Sequence, residues 1–97
     1  MSHYIAIIED AGPDHAAGVW FPDLPGCFSA GEDVDAALLN AEDALIAFAE
    51  ALAAQGRALP SARSLAALRD DPALADDLSH HMVALVPFRA EAVAAAE

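Results

Sequence analysis

Apolar and polar positions along these 97 residues follow two periods in succession, first that of strands and then that of a helix. His3-Tyr4-Ile5-Ala6-Ile7-Ile8-Glu9 is β-prone and predicts a first strand. Asp10-Ala11-Gly12-Pro13-Asp14 then clusters turn formers. Ala17 to Phe21 returns as a second strand, and the short polar connection favours an antiparallel hairpin. Cys27 to Glu32 predicts a third strand. Between the last two lies Pro22-Asp23-Leu24-Pro25-Gly26. Pro25-Gly26 is a type II turn signal, because proline presets the first central φ and glycine accepts the positive φ of the second. Pro22, Pro25 and Gly26 are therefore read as the frame of a rigid corner. Three strands with short links predict a meander.

After Gly31 the period changes. Val34, Ala37, Leu38, Ala41, Leu45, Phe48 and Leu52 recur at spacings of three and four, which is one face of a helix. Asp33 or Asp35 can cap it, acidic residues suit its first turn, and Gly56 with Pro60 shortly after can stop it. The helix is expected over about 33–55. Ser64 to Leu68 predicts a short helix capped by Ser61 or Ser64. Asp71-Pro72 interrupts it, and Ala73-Leu74-Ala75 adds a helical turn. Met82 to Val86 predicts a last strand ended by Pro87, and Arg89 to Glu97 is an Ala-rich, weakly helical tail. The order β-β-β-α-(short α)-β predicts an α+β fold, a two-layer sandwich with one helix across a small sheet.

Composition sharpens this picture in two ways. The hydrophobic fraction is 57%, but much of it is alanine, so the core is expected to be thin and open to completion by a second copy. Sixteen acidic residues oppose four basic ones, all arginine, for a net charge of −12. Such a surface repels phosphates, which argues against direct nucleic-acid binding by this chain. It either solubilises the protein or pairs with a basic partner. Cys27 is the only cysteine, so no internal disulfide forms, which fits a reducing cytoplasm. The chain shows no signal-peptide pattern and no apolar run long enough to span a membrane.

Local motifs for chemistry are weak. His80 and His81 are adjacent and, on a strand, would point to opposite faces, so His3, His15, His80 and His81 read as ordinary exposed histidines. Cys27 reads as a buried strand cysteine rather than a nucleophile, which would need a neighbouring base. Glu9, Asp10 and Glu32 near strand ends could gather around a cation, but a solvated surface is the simpler reading. No catalytic residue, metal site or cofactor is expected. Asp23 reads as a turn cap or, alternatively, a contact residue. At least one of Trp20 and Phe21 must face away from the helix, so Trp20, Phe21, Asp23, Leu24 and Phe28 form the candidate partner-binding set.

The string Val19-Trp20-Phe21-Pro22-Asp23-Leu24-Pro25-Gly26-Cys27 carries a resemblance. With it go Tyr4-Ile5-Ala6, Ala30-Gly31, Ala37-Leu38, Gly56 with Leu59-Pro60, and Val83 to Pro87. Together they resemble the HicB family of antitoxins over roughly residues 3–88. The resemblance implies a pared-down RNase H-like fold without catalysis. It also implies an antitoxin of a type II toxin–antitoxin system that masks a small basic HicA-type RNA-cleaving toxin, and homodimers or homotetramers in the cytoplasm. A stand-alone HicB-like regulatory or ligand-binding domain is the alternative. Residues 1–88 are expected to form the antitoxin domain and 89–97 a short tail. Only ten residues follow Pro87, too few for the DNA-binding module many members carry; either this member lacks DNA binding or the chain is truncated.

Overall fold

In a computed structural model, which describes residues 2–93, four strands form one antiparallel sheet: β1 (Ser2–Asp10), β2 (Ala17–Trp20), β3 (Phe28–Gly31) and β4 (Met82–Phe88). Their order across the sheet is β3-β2-β1-β4. The first three make the expected meander, and β4 returns beside β1, with Ile7 opposite Val83 and Ile5 opposite Leu85. Three α-helices also lie among the described residues: α1 (Val34–Ala54), α2 (Leu65–Arg69) and α3 (Ala75–His80). A single 3-10 turn follows at Ala90–Ala92, where a weak helix was expected; residues 94–97 of that tail lie outside the described residues.

Helix α1 crosses one face of the sheet. Asp33 caps it, its Oδ1 accepting from the Ala36 N–H at 2.8 Å. At the other end the Gly56 and Arg57 N–H groups donate to the carbonyls of Ala53 and Leu52, a Schellman closure. The buried side of α1 is Ala37, Ala41, Leu45, Ala49 and Leu52. Three of these five are alanines, so the helix backbone lies close to the sheet. The core beneath it joins Tyr4, Ala6, Ile8, Val19 and Val86 to Phe21, Leu24 and Cys27 from the corner.

The close approach is tightest at Gly31. A Cβ there would stand 2.4 Å from the Ala37 nitrogen and 2.7 Å from the Ala36 carbonyl carbon. Hydrogen bonds tie the same strand to the helix: Ser29 Oγ donates to Ala37 O and Asn40 Nδ2 to Ala30 O, both at 2.8 Å.

The other face is only partly covered. Side chains alternate along β1, so Ile5 and Ile7 point away from α1, yet both are buried, as is Leu68 of α2. The 57–81 segment supplies that cover. It rounds the end of the sheet, where Tyr4 Oη donates to Pro60 O at 2.5 Å, and brings Leu65 and Arg69 of α2 to a groove shared with Ile5, Val83 and Leu85. His81 meets Trp20 edge to face, with ring centroids 5.4 Å apart.

Three sequence expectations change. His80 ends α3 and His81 precedes β4, so the pair does not lie on a strand. The helical turn expected at 73–75 forms one step later, because Asp71 caps the intervening turn by accepting from the Ala73 N–H. Pro87 does not end β4. Among the described residues the strand has a partner on one side only, and an edge strand tolerates a residue with no N–H.

Candidate partner-binding surface

The corner between β2 and β3 is two consecutive β-turns. In the first, the Leu24 N–H donates to Phe21 O at 3.0 Å, with Pro22 at the second position. In the second, the Cys27 N–H donates to Leu24 O at 2.9 Å, with Pro25 second and Gly26 third at φ 92°. That is the type II geometry the sequence predicts, and a Cβ at residue 26 would be strained there. The Phe21 N–H closes the loop onto Cys27 O.

This geometry sorts the candidate residues. Phe21 and Leu24, expected among the partner contacts, are fully buried instead. The double turn folds back under the sheet, and both side chains enter the core beneath α1. Full burial of each is worth about 1.5–3 kcal/mol, so they hold the corner in place. Trp20 points the other way and is half-buried against His81. Cys27 precedes β3 rather than lying in it, and its Sγ lies 3.8 Å from Ala44 O. Burial pushes its thiol up to about 11, which makes it a poor nucleophile. Phe28 is the exposed member of the set, with 71% of its surface accessible.

Asp23 neither caps its own turn nor stands free. Its carboxylate accepts from Arg63 twice, from the main-chain N–H at 2.7 Å and from Nε at 2.6 Å. Arg63 Nη1 reaches on to Asp71 at 3.2 Å. These hydrogen bonds hold the Arg63 guanidinium above its ordinary range. The Ala73 N–H, and then Arg63, hold the Asp71 carboxyl below its own. Asp23 thereby fastens the corner to a segment 40 residues away. No local motif signals this pairing.

The exposed outer side of β3 combines two kinds of chemistry. Phe28 begins the strand, beside a shallow groove formed with Cys27, Ala44, Ala47, Phe48 and Ala51. At the other end, Asp10, Glu32 and Asp33 line a cleft with His15, where the β1–β2 turn meets the start of α1. Four strand residues separate the two ends, about 13 Å at the usual rise. Asp10 and Glu32, considered for cation binding, do share this cleft; Glu9 does not line it. Asp33 is committed to its helix cap and Asp10 to the Gly12 N–H. Among the described residues no group of three or more His, Cys, Asp and Glu is placed to hold a metal ion. No helix among them is long and apolar enough to cross a membrane.

Known proteins are similar to this chain in sequence and fold. The model of a family described as the HicB-like antitoxin of bacterial toxin–antitoxin systems matches residues 4–95. The HicB3 antitoxin structure is 29% identical, covering 98% of this chain and 68% of that one, with a TM-score of 0.71. A structure of the HicA3 and HicB3 toxin–antitoxin complex contains a chain that is 30% identical. The match covers 90% of this chain and 98% of that one, with a TM-score of 0.69. Antitoxin HicB of Burkholderia pseudomallei, at 23% identity and a TM-score of 0.78, shares the fold over 97% of this chain and 68% of its own. A 14.9 kDa protein from the rep-hol intergenic region of Haemophilus phage HP1 is 31% identical over 87 residues. That match takes in 81% of this chain but 64% of the phage protein, so the chain spans a little under two thirds of that relative. With the family model matching nearly every described residue, the chain belongs to the HicB-like antitoxin family of bacterial toxin–antitoxin systems.

Proposed function

We propose that this domain neutralises a small basic RNA-cleaving toxin of the HicA type by binding and covering it, without catalysis of its own, in the cytoplasm. The observation that carries this is the outer side of β3, where an exposed Phe28 and the carboxylates of Asp10, Glu32 and Asp33 lie about one short strand apart. An aromatic anchor beside clustered carboxylates suits a partner presenting arginine and lysine around an apolar patch. The net charge of −12 supports the same reading, since it speeds encounter with a cationic protein and opposes phosphate. A chain of the HicA3–HicB3 toxin–antitoxin complex is 30% identical, which supports a toxin of that class as the partner. Of the remaining candidates, Trp20 and Asp23 serve this surface indirectly, by bracing the corner from which β3 starts.

The test is co-purification with a small basic toxin of the HicA type. A complex is expected at low salt. It should weaken as ionic strength rises, because the Debye length falls from about 10 Å at 0.1 M to about 3 Å at 1 M. Phe28→Lys combined with Glu32→Lys should cost at least about tenfold in affinity, or roughly 1.4 kcal/mol. Absence of any complex at low salt overturns the proposal.

A further inference from the structure

The face of the sheet turned away from α1 is bare along one row. Gly18 of β2 lies opposite Glu9 of β1 on one side and opposite Ala30 of β3 on the other. Side chains alternate along each strand, so Glu9 shares the face of Ile5 and Ile7, and Gly18 that of Trp20. Ala30 faces the same way, opposite to Ser29, whose hydroxyl bonds α1. A Cβ at Gly18 would meet nothing within 4 Å, and Glu9 and Ala30 are exposed. Beside this row stands an aromatic one. Trp20 and Phe28 lie opposite each other two residues along the strands, about 7 Å away at the usual rise. Trp20 is half-buried, and its edge-to-face contact with His81 steadies the indole. The Glu9 carboxylate also differs from its acidic neighbours. Asp10 accepts from the Gly12 N–H and Asp33 caps α1, whereas among the described residues no basic side chain pairs with Glu9.

We propose that this open row is a slot for one arginine side chain of the basic partner. Its guanidinium lies flat over Gly18 and Ala30, against the Trp20 indole, and pairs with the Glu9 carboxylate. The slot presupposes the basic partner proposed above and adds the group by which that partner is held.

Chemistry selects this occupant. A guanidinium is planar and always charged, and it stacks on aromatic faces, of which tryptophan is the best for a cation. A floor of glycine and alanine lets a flat group settle close to the strands. A carboxylate at the rim gives the guanidinium N–H groups their acceptors. An anionic group would meet Glu9 and a chain of net charge −12, and is repelled. A purely apolar side chain would take water from Glu9 and return no partner. Trp20 then does more than brace the corner: it supplies one wall of the slot.

Trp20 is the chain's only tryptophan, so its fluorescence reports on the slot directly. Two probes test it: a hexa-arginine peptide, and a HicA-type toxin that contains no tryptophan. Each should shield Trp20 from quenching by acrylamide. Gly18→Val fills the slot with a β-branched side chain at a strand position that has no positive φ. This variant should melt no lower than the wild type, yet bind both probes at least about tenfold more weakly. Glu9→Gln should weaken both by about three- to tenfold, and by more than Asp43→Asn, which removes the same charge from the exposed side of α1 across the sheet. A folded Gly18→Val protein that binds both probes as the wild type does overturns the slot. So does a Trp20 that stays equally open to acrylamide with either probe bound, or a Glu9→Gln loss no larger than that of Asp43→Asn. A toxin that fails to bind, while the peptide still distinguishes the wild type from Gly18→Val, overturns the function proposed above and supports the slot.

Discussion

Replacing Gly31 with alanine tests how tightly β3 and α1 are joined. The added methyl would sit 2.4 Å from the Ala37 nitrogen, 2.7 Å from the Ala36 carbonyl carbon and 2.8 Å from the Ala36 Cβ. Two of these atoms are backbone in the first turn of a capped helix and cannot swing aside as a flexible side chain would. The strand must back away from the helix, and the Ser29–Ala37 and Asn40–Ala30 hydrogen bonds stretch with it. Overpacking of this kind costs about 1–3 kcal/mol. Removing glycine from the unfolded chain returns about 0.4–1 kcal/mol. The net loss of about 1–2 kcal/mol lowers the melting temperature by roughly 5–15 °C in a domain of this size. Gly18→Ala is the matched control. Gly18 lies in β2, has no positive φ, and a Cβ there meets nothing within 4 Å. It should melt at or slightly above the wild-type temperature. A Gly31→Ala protein melting with the wild type, or a Gly18→Ala protein that falls as far, refutes the close-approach argument.

Two further outcomes follow from side chains of the corner. Asp23→Asn weakens the acceptor pair that holds Arg63, so limited trypsin digestion should cut after Arg63 several-fold faster while the melting temperature moves little; equal cleavage rates would show that the segment is held by other means. Cys27 should resist alkylation in the folded protein. With its thiol pushed up to about 11, against an ordinary 9.0, the folded chain at pH 9 holds roughly fiftyfold less thiolate than the unfolded chain. Its reaction with iodoacetamide should keep accelerating as pH rises past 9, and a folded rate matching that in strong denaturant contradicts the burial.

Local signals made much of the fold legible. The strands, the corner and α1 each rest on turn formers, caps and periods within a few residues of one another, so Asp33, Gly26 and Gly56 could be placed from sequence. Long-range partners could not. Asp23 carries no mark of Arg63, and nothing in Leu68 says which face of the sheet it covers. Ala49 escaped the predicted stripe because alanines lie on every side of α1, which blurs the helical period. Within the candidate site, Trp20 and Phe21 were known to diverge, but the direction of each depends on how the corner turns under the sheet. Pro87 reads as a strand end in the sequence because edge position is a property of the sheet and not of the residue.

The double turn also bears on the order in which this domain assembles. Each of its turns closes over four residues and carries a proline at the second position, so little chain entropy remains to be lost there. The bond it offers Arg63 spans 40 residues and must wait until α1 has folded and the chain has returned around the sheet. The corner is thus ready early for a late arrival. Damage to Pro22 or Pro25 would be felt at the Arg63 segment leading into α2 as well as at the bend itself.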